Sequence, residues 1–423
     1  MDFKKLWPTA AMSLVAVTTL LSADYRDGRD GRNGRGRKYD QNCDKKATGP
    51  RCDRIDICGP CLPEAVNPSV RPFTQDACCC DEGEFSITVA GFYWQATEDG
   101  LDYAIENGVA APTTLATTGS LATLSDAEYK NPDFKWKPGF KLGVGYNGTH
   151  DGWDLGLMWT HFNGRAKSHD SEDVDESEVL LPLWSAVSVS TGGDTGGNIL
   201  FATDIETSWR LDLNLVDLEL GREFYTSRYL TVRPHIGFRY ASLEQHYEVD
   251  YRGGTFGTVA TGGLGVLDEV EMKNKFTGGG VRGGLDTVWN FGCGCGCGNW
   301  GLFGNLALSL IYGRFEVEQE ETTTGTAAPF AATSILDSTD HFRATRAMLD
   351  LALGIQWANL YNEDRYGLTF ALAWEFHEFF NQNQLWRVNR IGDTATLHGE
   401  NVFAQRRGDL STQGVTFTVK LTF

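Results

Sequence analysis

Two sets of side chains in this 423-residue chain carry chemistry. The first is a series of charged residues at alternate positions in otherwise apolar runs. It comprises Lys135, Lys137, Lys141, Arg210, Arg233, His235, Arg239, Arg282, Arg346 and Lys420, interspersed with Asp154, Asp212, Asp286, Asp350 and Glu375. Alternation puts such residues on one face of an extended chain and their apolar neighbours on the other. Enclosed in a lumen, a lysine- and arginine-rich face favours anions, whereas cross-lumen pairing with the carboxylates would cancel that preference. Counted by parity, this face is net basic although the whole chain carries a formal charge of -19.

The second set is ten cysteines. Cys43, Cys52, Cys58, Cys61, Cys78, Cys79 and Cys80 crowd the N-terminal region, and Cys293, Cys295 and Cys297 alternate with glycines far away. In an exported chain these are disulfide candidates, and the odd count in the first group requires partners in the remote turn or in other molecules. Cys58-x-x-Cys61 has a zinc-type spacing, but no histidine lies nearby and an oxidising compartment favours disulfides, so no metal site is expected. The eight histidines are scattered and none sits in a nucleophile motif. His235 reads as a lumen residue, and neither a catalytic constellation nor a cofactor site is legible.

The elements that must position these residues are strands. The chain ends with Val415, Phe417, Val419, Leu421 and Phe423 on one parity and Thr416, Thr418, Lys420 and Thr422 on the other. An apolar edge like this is stable only when it is paired, as in a closed barrel. Earlier stripes follow the same rule: Phe134 to Tyr146, Trp153 to Trp159, Trp209 to Leu215, Leu230 to Tyr240, Val281 to Phe291, Trp300 to Tyr312, Leu349 to Trp357 and Tyr366 to Phe376. The run from Phe85 to Ala96 changes apolar parity near Gly91, where a bulge or bend is easily accommodated. Short turns near residues 147, 225, 295 and 361 alternate with long connections near 115, 185, 260, 330 and 395. This predicts an all-β, transmembrane antiparallel barrel of about ten strands, with both termini on the short-turn, periplasmic side. Aromatic residues at the stripe ends fit two interfacial girdles. The apolar stretch Val179-Leu-Leu-Pro-Leu-Trp184 folds inward as a constriction, packs on loops, or adds a hairpin to make twelve strands.

Residues 1–23 read as a secretory signal, with Lys4 and Lys5 before an apolar core and a small-residue end. Residues 24–83 read as a flexible, basic and cysteine-rich periplasmic segment, and residues 84–423 as the barrel. No later run of eighteen apolar residues provides a transmembrane helix. The acidic balance argues against nucleic acid as a partner.

Four segments resemble the Legionella-type pore-forming major outer-membrane protein family, which includes major-outer-membrane-like proteins of environmental chlamydiae. They are Phe92-Tyr-Trp-Gln-Ala-Thr-Glu-Asp-Gly-Leu-Asp-Tyr-Ala104, Lys135-Trp-Lys-Pro-Gly-Phe-Lys-Leu-Gly-Val-Gly-Tyr146, Val216-Asp-Leu-Glu-Leu-Gly-Arg222 and Leu230-Thr-Val-Arg-Pro-His-Ile-Gly-Phe-Arg239. The resemblance spans about Glu84 to Phe423. It implies a bacterial outer-membrane barrel, not an enzyme, that admits small hydrophilic solutes by passive diffusion. The implied partners are outer-membrane lipid and, through disulfides, other envelope proteins, with a homo-oligomer left open. The cysteine-rich stretch departs from the plainer family pattern and resembles disulfide-linked envelopes of chlamydia-like bacteria. The alternative reading is a coat protein or adhesin with a closed or plugged barrel.

Overall fold

The computed structural model describes residues 84–108, 124, 126–148, 152–171, 178–186, 201–227, 229–254, 267–291, 298–324, 332–361, 366–393 and 398–423. All ten cysteines and both N-terminal segments lie outside these residues. Ten strands form the wall: β1 (Glu84–Glu98), β2 (Phe134–Asn147), β3 (Trp153–Ser171), β4 (Asp204–Arg222), β5 (Leu230–Arg252), β6 (Leu267–Asn290), β7 (Asn299–Thr324), β8 (Ala332–Tyr361), β9 (Tyr366–Asn383) and β10 (Gly408–Thr422). Each pairs antiparallel with its neighbours in sequence, and β1 pairs with β10 from Ser86↔Thr422 to Glu98↔Leu410. The ring is therefore closed, and its ladder leaves no edge. Glu178–Pro182 joins Ala104–Gly108 and Glu128–Lys130 in a separate three-stranded sheet. The twelve-strand alternative is thus replaced by ten wall strands.

The outer surface near the short turns is apolar. Phe85, Ile87, Val89, Leu155, Leu157, Leu308, Leu310, Leu353, Phe417 and Leu421 are all exposed, with Trp153, Trp159, Tyr240, Trp300, Tyr312 and Trp374 toward the margins. A continuous apolar band of this extent does not persist in water, and lipid is the solvent it suits. On β7 the band runs from Trp300 to Tyr312, about 40 Å along the strand and about 28 Å along the normal at a 45° tilt.

Beyond the band, each strand continues and inverts. On β7 the outward residues become Arg314, Glu316, Glu318 and Glu320, while Phe315, Val317 and Ile311 point inward and are buried. On β6, Val281, Leu285 and Trp289 face outward at one end, whereas Val270, Met272 and Phe276 face inward at the other. The pleat does not slip: β6 pairs with β7 without interruption from Leu267↔Thr324 to Asn290↔Gly301. Water replaces lipid outside, and an apolar core replaces the polar lumen inside.

This inversion corrects several sequence expectations. The parity change at Gly91 is no bulge, because β1 keeps continuous register with both neighbours while its apolar side chains pass from the outside (Val89) to the inside (Phe92, Trp94). A register shift occurs instead in β2, between Lys135 and Gly139. Trp209, Leu211, Leu213 and Leu215 point into the barrel, not toward lipid. Of the long connections expected near residues 260 and 330, residues 255–266 and 325–331 lie outside the described residues, while the flanking residues 241–252, 313–324 and 332–341 are strand.

The inversion predicts an asymmetric cost on one face of one strand. Leu308→Arg should destabilise the barrel by about 2–4 kcal/mol, whereas Glu318→Arg, ten residues further on the same face, should stay within about 0.5 kcal/mol. Urea unfolding in lipid bilayers distinguishes the two.

Candidate functional site

The lumen has two storeys. The lower one, at the short-turn end, is a cavity of about 900 Å³ lined by charged side chains that reaches the turn residues Gly148, Gly152, Glu223 and Tyr225. Its wall carries Lys141, Arg233, Arg239, Arg282 and Lys420 against Glu84, Asp154, Asp217, Glu219, Glu223, Asp286, Asp350 and Glu375. Among the described residues eight carboxyl groups and five Lys or Arg side chains line it, together with His235 and His377, so the wall lacks the basic excess expected from the sequence.

Most of these charges are tied to one another. Arg239 donates from Nε to Asp217 (2.6 Å) and from Nη2 to the other Asp217 oxygen (2.7 Å), and its Nη1 lies 2.8 Å from Asp350. Arg282 bonds Asp350 and donates from Nε to Glu219 at 2.9 Å. Arg233 bridges Asp154 and Asp286, the latter at 2.6 Å. His377 Nδ1 stands 2.7 Å from Asp350, and Lys141 donates to Glu375 at 2.7 Å. Planar guanidinium forks suit this sharing, because one cation satisfies carboxylates from several strands. Glycines make room for it: a Cβ at Gly221 would lie 2.5 Å from the Arg233 guanidinium, and one at Gly284 would lie 2.6 Å from the His235 ring.

Trp94 roofs this storey. Its Nε1 donates to Thr416 at 3.1 Å, Thr416 donates to Glu375 at 2.7 Å, and the Lys141 ammonium sits 5.0 Å from the indole centroid. Above it the barrel is filled. Phe162, Leu213, Phe276, Phe315, Met348 and Phe379 are buried from the wall, and Leu101, Tyr103, Leu180 and Trp184 enter from the long connections. The inserted segment is pinned by polar contacts: Tyr247 donates to the Leu101 carbonyl at 2.7 Å, Tyr251 to the Tyr103 carbonyl at 2.9 Å, and Trp184 Nε1 to the Asp102 carbonyl at 2.8 Å. The Arg387 guanidinium stacks 4.7 Å from the Trp184 ring. Of the fates open to Val179–Trp184, two are combined: Leu180 and Trp184 are buried in the barrel core, while Val179 and Leu181 pack against Ile105 of the neighbouring connection.

Glu321 holds the end of this segment. Lying nine residues beyond Tyr312, it is outside the apolar band, and it accepts hydrogen bonds from the Ala186 amide (2.9 Å) and the Ser185 hydroxyl (3.0 Å). Burial and the adjacent Asp268 carboxylate push the Glu321 carboxyl up to about 8, and burial raises Asp268 as well.

The expected pore-lining residues divide accordingly. Lys141, Arg233, His235, Arg239, Arg282, Asp286, Asp350, Glu375 and Lys420 lie on the cavity wall. Lys135 does not: it is on the outer face, paired with Asp133 and half exposed. Arg210 is exposed on the outside too, because β4 points its odd residues inward. Lys137 pairs across from Trp94 at the irregular part of β2 and is not on the cavity wall. Arg346 sits above the cavity, 4.8 Å from the Phe315 ring. Asp217, Glu219 and His377 were missed. The signal for the first two was the switch of apolar parity from Leu215 to Val216, Leu218 and Leu220.

A family model described as the Legionella pneumophila major outer membrane protein precursor matches residues 77–423. The chain belongs to this family. The bacterial outer membrane is accordingly where this family member resides, and the apolar band meets its lipid. Comparison with curated proteins gives no match. Among solved structures, the Escherichia coli outer membrane protease OmpT is 10% identical with a TM-score of 0.32, covering 84% of this chain and 99% of that one. A TodX monoaromatic hydrocarbon channel mutant is 8% identical (TM-score 0.28, 82% and 91%), and a Pseudomonas aeruginosa FadL homologue is 7% identical (0.21, 81% and 90%). Likeness this remote says nothing about what this family member does.

Two outcomes follow. Asp350→Asn removes the carboxylate shared by Arg239, Arg282 and His377 and should cost about 3–5 kcal/mol, while Asp212→Asn, exposed on the outer face, should cost under about 0.5 kcal/mol; urea midpoints report both. Glu321 binds its proton more tightly folded than unfolded, so its contribution is full below about pH 4.5 and falls as pH rises through about 8. The thermal midpoint should therefore drop across that interval, and Glu321→Gln should flatten the dependence.

Proposed function

We propose that the protein is a passive, low-conductance pore for small hydrophilic solutes, closed in the described state by the inserted Leu101–Tyr103 and Val179–Trp184 segments. The observation that carries this reading is the division of the lumen: a charged vestibule open at the short-turn end stops at Trp94 and gives way to a continuous apolar core. A ten-stranded ring is little wider than the eight-stranded barrels that side chains fill, so passage depends on what those side chains leave free. The inserted segments belong to connections rather than to the wall, so they can withdraw without opening the barrel ladder. With eight acids to five cations, the vestibule favours cations and neutral solutes over anions. Family membership supports a transport role in preference to an enzymatic one. The ten cysteines, in this proposal, link the barrel to other envelope proteins through disulfides.

A second reading, a coat protein whose barrel never opens, draws support from the same apolar core. Planar bilayers and liposome swelling separate them. A pore gives rare, small, cation-preferring openings, and Trp184→Ala, which removes a fully buried side chain from the plug, raises the open time and speeds monosaccharide entry. Electrically silent bilayers with both the native protein and the Trp184→Ala variant would leave the coat protein.

A further inference from the structure

Two carboxyl groups lie at the top of a storey that is otherwise apolar. Below them the inner faces of β6 and β7 carry Val270, Met272 and Phe276, and Phe315 and Val317. At the upper end of the same faces stand Asp268 and Glu321, both fully buried. They are diagonal neighbours, since Asp268 pairs with Thr323 and Val270 with Glu321. Neither forms an ion pair among the described residues. Asp268 accepts from the Thr323 hydroxyl at 2.8 Å and lies beside both Ser185 and the Glu321 carboxyl. Two adjacent carboxyls removed from water cannot readily both ionise, so one proton is held between them.

What this pair holds is the end of the plug. Glu321 accepts from the Ser185 hydroxyl at 3.0 Å and from the Ala186 amide at 2.9 Å to each oxygen. The surrounding elements bring no compensating cation to it. On β8, Leu336 stands opposite Glu321 and Thr333 opposite Thr323. From β5 comes the Tyr251 hydroxyl, which receives the Trp184 amide at 3.2 Å. Arg387 is turned to Asp102 and to the Trp184 ring, and Glu178, at the far end of the inserted strand, pairs with Gly108.

We propose that Asp268 and Glu321 form a proton-operated latch: while they share a proton the Val179–Trp184 segment stays seated, and loss of that proton to water on the long-connection side releases it. With the segment seated, a second negative charge meets burial and its neighbour together, which hold the Glu321 proton up to about 8. With the segment withdrawn, both carboxyls face water and ionise in the ordinary carboxylate range. The proton therefore binds the seated state more tightly, so rising pH drives withdrawal until the seated pair is itself ionised above about pH 8. The latch regulates the plugged pore proposed above and rests on that reading for its effect on transport, while the movement of the plug is measured separately.

The test places the refolded full-length protein in planar bilayers and steps the pH on the long-connection side alone. Open time should rise by about tenfold per pH unit between about pH 6 and 8 and then level off. Glu321→Gln keeps an acceptor for Ala186 and removes the titration, so its profile should be flat. Asp268→Asn removes the neighbouring charge and should bring the levelling point below about pH 8. Glu320→Gln, one residue away on the outer face, should follow the native protein. Hydrogen exchange at the Ala186 amide, corrected for its intrinsic pH dependence, reads the latch without conductance: protection should fall over the same interval in the native protein and stay constant in Glu321→Gln. Should Glu321→Gln fail to fold, the shift in Asp268→Asn decides. Openings whose frequency ignores pH, protection that ignores pH, or a Glu321→Gln profile matching the native one overturns the latch. Silent bilayers together with pH-dependent protection of Ala186 sink the pore and leave the latch standing.

Discussion

Backbone hydrogen bonding in lipid governs everything else in this structure. A peptide group facing hydrocarbon has no water to bond, so a sheet crossing a membrane must close on itself. Here closure is the pairing of β1 with β10, where Phe85 and Phe423 exchange amide and carbonyl bonds at 2.8 Å. Once the ring is sealed, the pleat assigns every residue to lumen or lipid without further choice. The interior charge network exists because ten strands deliver its members to one enclosed space.

The strands outrun the membrane, and this is where the physics changes sign. Within the band, the outer solvent is hydrocarbon and the enclosed volume is polar. Past Tyr312, Tyr240 and Trp159 the outer solvent is water, and the enclosed volume is a conventional apolar core. A single ladder serves both environments because its backbone bonds are indifferent to which face is wet. The apolar core supplies stability that a polar lumen does not, which accounts for connections folding inward instead of covering the rim.

Charge pairing in the vestibule has a related logic. Asp350 meets Arg239, Arg282 and His377, partners drawn from three other strands. Removing charges from water is costly unless each finds a counter-charge and a hydrogen bond, and a shared carboxylate satisfies several cations at once. The network cross-braces the lower barrel where no apolar packing is available to do so.

Local pattern alone determined the strand count, the short-turn and long-connection alternation, the two-faced stripe from Val415 to Phe423, and the placement of Arg233, Arg239, Arg282 and Asp350 on the inner parity. All of these follow from period two in residues that sit within the lipid band, where apolar means outward. Only the tertiary structure decided which side was inside beyond that band. Trp209 to Leu215 and Phe92 to Ala96 show the same alternation as the lipid stripes yet point the other way, so Arg210 goes out and Asp217 and Glu219 come in. Alternation records that two faces differ in polarity; whether water, lipid or protein touches each face depends on how high the residue stands in a closed barrel, and that height is set by long-range strand pairing.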